Sequence, residues 1–301
     1  MQGADQAEWA AAIFVRNEAD AIGQCLHALA AAGRRRRMDV TVIVNGTSDD
    51  SAVRAAAALR EAGQPGRIFA IAEGCKSNAI NQYLHRLRPP SATYFFIDGY
   101  AAVAPDALSR LADALDAAPA ALAAGAVPST GRSAARLRAS PGLHGSLFAL
   151  RGTFVARLVQ AGLRLPVRMY RGDGLIGSMV MHDLDTNDGW LGERVVIDPH
   201  ATWRTPTLQP WNGRDLRRHF NRMVQQARGR LQWGAVKDAI YPAGYAALPE
   251  DADAATLRWI AAAPGRLPTL WRDPLGTLAL ARMRRLPPPG DLTPHLVSAV
   301  A

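Results

Sequence analysis

Between Trp9 and Val127 short apolar runs alternate with stretches whose apolar residues recur every three or four positions. That alternation predicts strands joined by helices in a mostly parallel α/β sheet. The first strand is predicted over 11–15. Asn17 is placed to cap the helix behind it, with Asp20 three residues on and Ile22, Cys25, Leu26 and Leu29 on the buried face. The arginines of 34–37 close the connection to a second strand over 40–44. A polar turn, 45–51, leads to a helix over 52–62 that Gly63 ends. A third strand spans 67–71, followed by a loop at 74–77. The next helix carries Ile80, Tyr83, Leu84 and Leu87 and has to stop before Pro89 and Pro90. The fourth strand, 94–97, ends in Asp98, and Pro105 opens a helix with Leu108, Leu111 and Leu115 on its buried stripe.

The second half is less regular. A strand is predicted over 146–150, a helix near 153–161, a loop rich in Arg and Gly reaching Asp173, and strands near 195–198 and 201–205. A long basic helix follows over 213–231. Beyond Pro242 the chain turns Pro-rich, and its last amphipathic piece, 268–285, combines leucines and Trp271 with several arginines. Such a piece either packs on the body or lies on a membrane surface, and packing is the expectation. The Ala-rich stretch 101–127 is broken by Asp106, Arg110, Asp113, Asp116 and Pro119, so no membrane-spanning helix is expected. With Asp5 and Glu8 before the first apolar run, and Arg16, Asn17 and Glu18 after it, no signal peptide is expected.

Of 301 residues, 49% are apolar and 20% charged, enough to build a core without disulfides or a structural metal. Two cysteines, Cys25 and Cys75, make neither a disulfide framework nor a Cys-based metal cluster, which points to a reducing, cytoplasmic compartment. The net charge of +9 draws phosphates, whether on nucleic acid, on the anionic inner face of a membrane or on a nucleotide-sugar. With 7% aromatics and no stacking or helix-turn-helix pattern, nucleic acid is not the expected partner.

In open α/β sheets, ligands bind beyond the carboxyl ends of the strands. After the first predicted strand come Arg16, Asn17 and Glu18. After the second come Asn45, Gly46, Thr47, Ser48 and Asp49. The third is followed by Gly74, Lys76 and Asn78, and the fourth by Asp98, Gly99 and Tyr100. Together they offer hydrogen-bonding groups for a base and ribose, a cation for phosphates, and a carboxylate for a metal ion or sugar hydroxyl.

The succession AIFVRNEADAIGQCLHAL, VIVNGTSDDS, GCKSNAINQYL, YFFIDGYAAVAPDAL, GSLFALRG, RGDGL and IDPHATWR, with the helix DLRRHFNRMVQQARG, resembles family 2 glycosyltransferases over about residues 9–230. The resemblance implies a GT-A fold, a Rossmann-like, mostly parallel sheet flanked by helices, over 1–235. Within it, 9–127 is the nucleotide-binding half and 128–235 the acceptor half; 236–301 is a Pro-rich helical extension. It implies inverting transfer of a sugar from a nucleotide-sugar donor to a hydroxyl of a glycan, lipid-linked saccharide or small molecule, as in polysaccharide biosynthesis.

By position, the resemblance assigns Arg16, Asn17, Glu18, Asn45, Lys76, Asp98 and Arg222 to the donor, His144 to the acceptor, and Asp98 and His200 to a metal. Asp173 takes the place of the general base, with Asp183 or Asp185 as the fallback. Two positions depart from the family. Asn45 stands where an acid usually meets the base and ribose, and Tyr100 replaces the second acid of the Asp-X-Asp signature. A phenol is a poor ligand for Mg²⁺ or Mn²⁺, so either Asp98 holds the ion with help from elsewhere or cationic side chains neutralise the diphosphate. The signature of processive synthases is absent, since Gln225, Gln226 and Arg228 are followed by Gly229, and transfer of a single sugar is expected. The alternatives are a nucleotide-binding protein that has lost transfer, and a basic binder of membrane surfaces or nucleic acid.

Overall fold

The computed structural model describes residues 7–301 except 35, 131, 140, 141 and 207–210; Asp5 and Arg35 lie outside the described residues. The chain forms β1 (Trp9–Val15), α1 (Ile22–Gly33), β2 (Met38–Asn45), α2 (Ser51–Glu61) and β3 (Gly66–Ile71). Next come α3 (Lys76–Gln82), extended by a π turn over Tyr83–Leu87, then β4 (Thr93–Asp98), β5 (Ala102–Val103) and α4 (Ala107–Ala117). The second half holds β6 (Ala123–Pro128), α5 (Arg132–Ala139), β7 (Leu147–Arg151), α6 (Gly152–Gln160), α7 (Gly172–Met181) and β8 (Val195–Arg204). It closes with α8 (Gly213–Ala243), α9 (Ala252–Ala261), α10 (Pro274–Arg285) and β9 (His295–Val300).

The nine strands of the described residues join one sheet in the order β5-β8-β6-β7-β4-β1-β2-β3-β9. Its centre, β4-β1-β2-β3, is parallel, with Ile13 opposite Val42 on one side and Ile97 on the other. β7 runs antiparallel between β4 and β6, β8 is parallel to β6, and β5 and β9 close the two edges antiparallel. Side chains alternate across a strand, so β1 feeds two cores. Trp9, Ala11, Ile13 and Val15 pack with α1, α2 and α4. Ala10, Ala12 and Phe14 pack with α3, α6, α7 and α8, where Phe96 stacks on Phe148 with centroids 4.8 Å apart.

Several elements differ from the sequence-based expectation. Asn17 caps no helix: it sits in the left-handed region (φ 54°), and α1 begins only at Ile22 without a side-chain cap. The expected loop toward Asp173 is present up to Arg171, but an unexpected helix, α7, begins at Gly172, with Leu175, Ile176, Met179 and Val180 buried. Three glycines in ten residues weaken its helix signal, and tertiary burial overrides that weakness. β6, with sequence AAGAVP, carries almost none of the bulky residues that mark a strand, yet is buried throughout its first five positions. The pieces 195–198 and 201–205 are one strand, β8.

The C-terminal region is also more closely joined than expected. α8 continues past residue 235 to Ala243, so the expected boundary falls inside a helix. Beyond it, the tail returns to the first half of the chain: Leu292 O accepts from Asn78 Nδ2 at 2.8 Å, and β9 pairs with β3. The apolar face of α10, with Ala279 and Met283, packs on Val224 and Ala227 of α8, whereas Trp271 just before it is 95% exposed. Among the described residues no helix is long and apolar enough to cross a membrane.

Candidate active site

The carboxyl ends of β1 to β4, the first turns of α3 and α7, and the side of α8 enclose a cleft of about 570 Å³. At the end formed by the loops after β1, β2 and β3, three loops interlock. Gly46 is left-handed (φ 56°), and a Cβ there would collide with the Gly74 backbone. Arg16 Nη1 donates to Gly74 O at 3.3 Å. Asn45, buried at the end of β2, donates from Nδ2 to Val15 O at 3.0 Å, leaving its side-chain oxygen as the acceptor. Glu18 is partly buried, and its pKa is pushed up to about 7, chiefly by loss of solvation. Arg218 opposes the shift, while the like charges of Asp98, Asp49 and Asp20 add to it.

The floor is built around Asp98, the last residue of β4. Cys75 caps α3 by accepting the Asn78 N–H, which sets Lys76 at the first helical position. From there Lys76 Nζ forms an ion pair with Asp98 Oδ1 and donates to Gly145 O at 3.1 Å. Tyr100 donates its hydroxyl to Asp98 Oδ2 at 2.7 Å, and Ser146 Oγ donates to the same oxygen at 3.2 Å. Burial and the adjacent Asp98 push the Tyr100 phenol well above its ordinary pKa, so it stays a donor.

Asp173 lies in the first turn of α7, where the helix dipole favours a carboxylate. Its Oδ2 accepts the Gly145 N–H at 2.7 Å, and its Oδ1 accepts nothing from the described residues. Gly145 thus serves both acids, and a side chain there would be tight: a Cβ would lie 3.0 Å from Lys76 Nζ and 3.2 Å from Asp173 Oδ2. His144 Nδ1 accepts the Ser146 N–H at 3.2 Å, and its ring packs on Trp203. Burial lowers its pKa against the pull of Asp173 and Asp98, leaving the ring neutral near pH 7.

Of the arginines on α8, Arg222 lines the cleft and has no hydrogen-bond or ion-pair partner among the described residues. Arg228 also lines it but is bound through Nε and Nη2 to the buried Asp253. The structure therefore brings Arg16, Glu18, Asn45 and Lys76 into one cleft with Asp98, His144, Asp173 and Arg222. Two expected residues stay outside. Asn17 ties the loops together, accepting the Ser48 N–H at 2.8 Å, and does not line the cleft. His200 is exposed on β8 with its N–H on Asp198, away from the cleft, where it has no contact with Asp98.

The fallback acids are also engaged elsewhere: Asp183 pairs with Arg157 and Arg194, and Asp185 caps a short turn. Sequence reasoning missed Gly145 and Ser146 as partners of the acids, and Tyr170 and Arg171 as lining residues. The GSLF and RGDGL segments around them were the available signal.

A divalent cation does not fit these residues. Both oxygens of Asp98 already accept from donors, Tyr100 presents a protonated phenol, and no group of three or more metal-binding side chains occurs among the described residues.

The sequence profile of the family described as "Glycosyl transferase family 2" matches residues 11–161, half of the chain. The chain belongs to this family. Its sheet order and helical layers are those of the GT-A glycosyltransferase fold. A mannosyltransferase from Pyrobaculum calidifontis, solved with GDP-Man and Mn²⁺, superposes with a TM-score of 0.57 at 16% identity, covering 93% of this chain and 86% of that one. Glucosyl-3-phosphoglycerate synthase from Mycobacterium tuberculosis, solved with Mn²⁺, UDP-Glc and phosphoglyceric acid, gives 0.52 at 12% identity, over 75% and 78%. The same enzyme with Mg²⁺ and UDP gives 0.51 at 14% identity, over 75% and 77%. No curated protein matches the chain in sequence.

Proposed function

We propose that this family 2 glycosyltransferase moves one sugar from a nucleotide-sugar to an acceptor hydroxyl with inversion, Asp173 acting as the base. The observation that carries the reading is the state of Asp173: fixed by one backbone N–H, with its second oxygen accepting nothing from the described residues, in a cleft it shares with Arg16, Lys76 and Arg222. The acceptor oxygen attacks C1 of the sugar as the bond from C1 to the diphosphate breaks. Its proton passes to Asp173 Oδ1, and the bonding electrons leave with the nucleoside diphosphate. Asn45 supports the base through its side-chain oxygen, Arg16 lies by the phosphates, and His144, beside Asp173, takes the acceptor.

Gly229 after Arg228 supports transfer of a single sugar rather than chain growth. Buried, unpaired Cys25 and Cys75 support a reducing, cytoplasmic setting.

GDP-Man and UDP-Glc, the donors found in the superposed structures, are the first to try. With a panel of sugar, lipid-linked and phosphorylated small-molecule acceptors, release of nucleoside diphosphate is expected, and proton NMR of the product should show the anomeric centre inverted. Retention would remove the direct displacement. Tight nucleotide binding with no turnover in Asp173→Asn or wild type alike would favour a protein that has lost transfer.

A further inference from the structure

The floor of the cleft surrounds one carboxylate with donors where a metal site needs acceptors. Tyr100 and Ser146 give hydrogens to Asp98 Oδ2, and Lys76 holds Oδ1. Charge counting connects the exchanges. A dication on two carboxylates sums to zero, and so does one ammonium on one carboxylate beside a neutral phenol. Tyr100 in place of an acid and Lys76 in place of a dication are therefore matched; either alone would leave an uncompensated charge in a buried position.

Lys76 also has capacity left. Its ammonium carries three N–H groups, of which Asp98 and the Gly145 carbonyl take two, and its side chain is 38% exposed along the cleft wall. The Lys76–Asp98–Tyr100 group is neutral overall, so net positive charge has to come from elsewhere in the cleft. Arg222, without an ion-pair partner among the described residues, supplies it.

Resting on the nucleotide-sugar reading of this cleft, we propose that the Lys76 ammonium replaces the divalent cation, hydrogen-bonding the donor's diphosphate directly so that nucleotide binding needs no metal. As the bond from C1 breaks, the charge that develops on the diphosphate oxygen is met by Lys76 and Arg222, preorganised donors rather than a Lewis acid. Gly145 fixes Lys76 for this role through its carbonyl while its N–H fixes Asp173.

Calorimetric titration of the full chain with UDP, GDP, dTDP and ADP, in EDTA and in Mn²⁺, tests this. One diphosphate is expected to bind with equal affinity in both conditions. Lys76→Met is expected to weaken it about 10- to 100-fold, the loss of one hydrogen bond to a charged group, with no rescue by Mn²⁺. Binding by wild type that vanishes in EDTA overturns the inference and leaves the nucleotide-sugar reading standing. Binding of no nucleotide in either condition overturns that reading and the inference with it. Should Lys76→Met fail to fold, the wild-type comparison in EDTA decides alone. Electron paramagnetic resonance adds a second readout: Tyr100→Asp is expected to gain Mn²⁺ binding that wild type lacks. Mn²⁺ bound by wild type and lost in Asp98→Asn would overturn the inference.

Discussion

Two of the acids that line the cleft, Asp98 and Asp173, share one neighbour in Gly145 and differ in almost everything else. Asp98 ends a central strand, is 8% exposed, and receives hydrogens from Lys76, Tyr100 and Ser146. Asp173 begins a helix and receives one, from the Gly145 backbone. A carboxylate satisfied on both oxygens is held in place and has little capacity to take a proton. A carboxylate satisfied on one is oriented and still able to accept. On the proposed function this difference divides the roles: Asp98 would belong to a rigid platform for phosphate, and Asp173 would do the proton chemistry.

The sharpest way to break this division is to change each acid to its amide. Asp173→Asn keeps the shape and removes the basicity, so kcat should fall by about 10²- to 10⁴-fold while the melting temperature and nucleotide affinity stay near wild type. Asp98→Asn should do the reverse. It strips the ion pair from Lys76 and asks an amide to sit among donors, so stability should drop by about 1.5–3 kcal/mol and nucleotide affinity with it. Equal losses of affinity in both variants, measured by calorimetry and thermal melts, would sink the distinction.

Next in size is a contrast along α8. Arg228 is bound to Asp253, which is buried and also accepts from Gln232 Nε2 at 2.7 Å. Arg228→Ala leaves that carboxylate buried and unpaired, and denaturant unfolding should show a loss of about 3–5 kcal/mol. Arg222 is exposed and unpaired among the described residues, so Arg222→Gln should leave stability unchanged and raise the donor KM about 10-fold or more. A smaller change is expected from Gly145→Ala. The added methyl would press on Lys76 Nζ and Asp173 Oδ2 together, lowering both donor affinity and kcat. A defect in only one of them would separate the two acids more completely than the structure does.

How far all this was legible follows from the kind of residue involved. The parallel centre was readable because β1 and β4 carry unbroken apolar runs, β2 is interrupted only by Asp39 and Thr41 before its polar end, and α1 and α4 show clean apolar stripes. Asp98, Asn45 and Lys76 could then be placed at strand ends from spacing alone. β6 and α7 were illegible for a common reason: alanine and glycine carry no periodic signal, and packing against the sheet decides their state. β9 pairs with a strand more than 200 residues earlier, which no local pattern reports. Within the site, the polar partners were hidden because a hydrogen bond between Ser146 and Asp98 joins residues far apart in the chain. His200 differs for another reason. A lone histidine after a strand fits a metal pattern, but here it lies inside β8, exposed, and is not among the residues that line the cleft.

The smallest expected effect concerns the third carboxylate of the cleft, and it tests whether the floor is electrostatically coupled to the nucleotide end. Glu18 has its pKa raised from 4.5 to about 7, so between those values the folded chain holds a proton that the unfolded chain has released. Native stability should therefore fall as pH rises through this window and level off above about 7, where both states are ionised. His85 and His144, lowered from 6.5 by burial, act with the opposite sign, since the unfolded chain gains their protons first as pH falls. Glu18→Gln isolates the carboxyl: it should flatten the decline between about pH 5 and 7 and remove a rise in donor KM above pH 7, where an ionised Glu18 repels the diphosphate. Because Asp98 is one of the charges that raise Glu18, Asp98→Asn should move the midpoint of this effect downward. A midpoint that stays fixed would mean that Asp98 is too well neutralised by Lys76 to be felt at the nucleotide end.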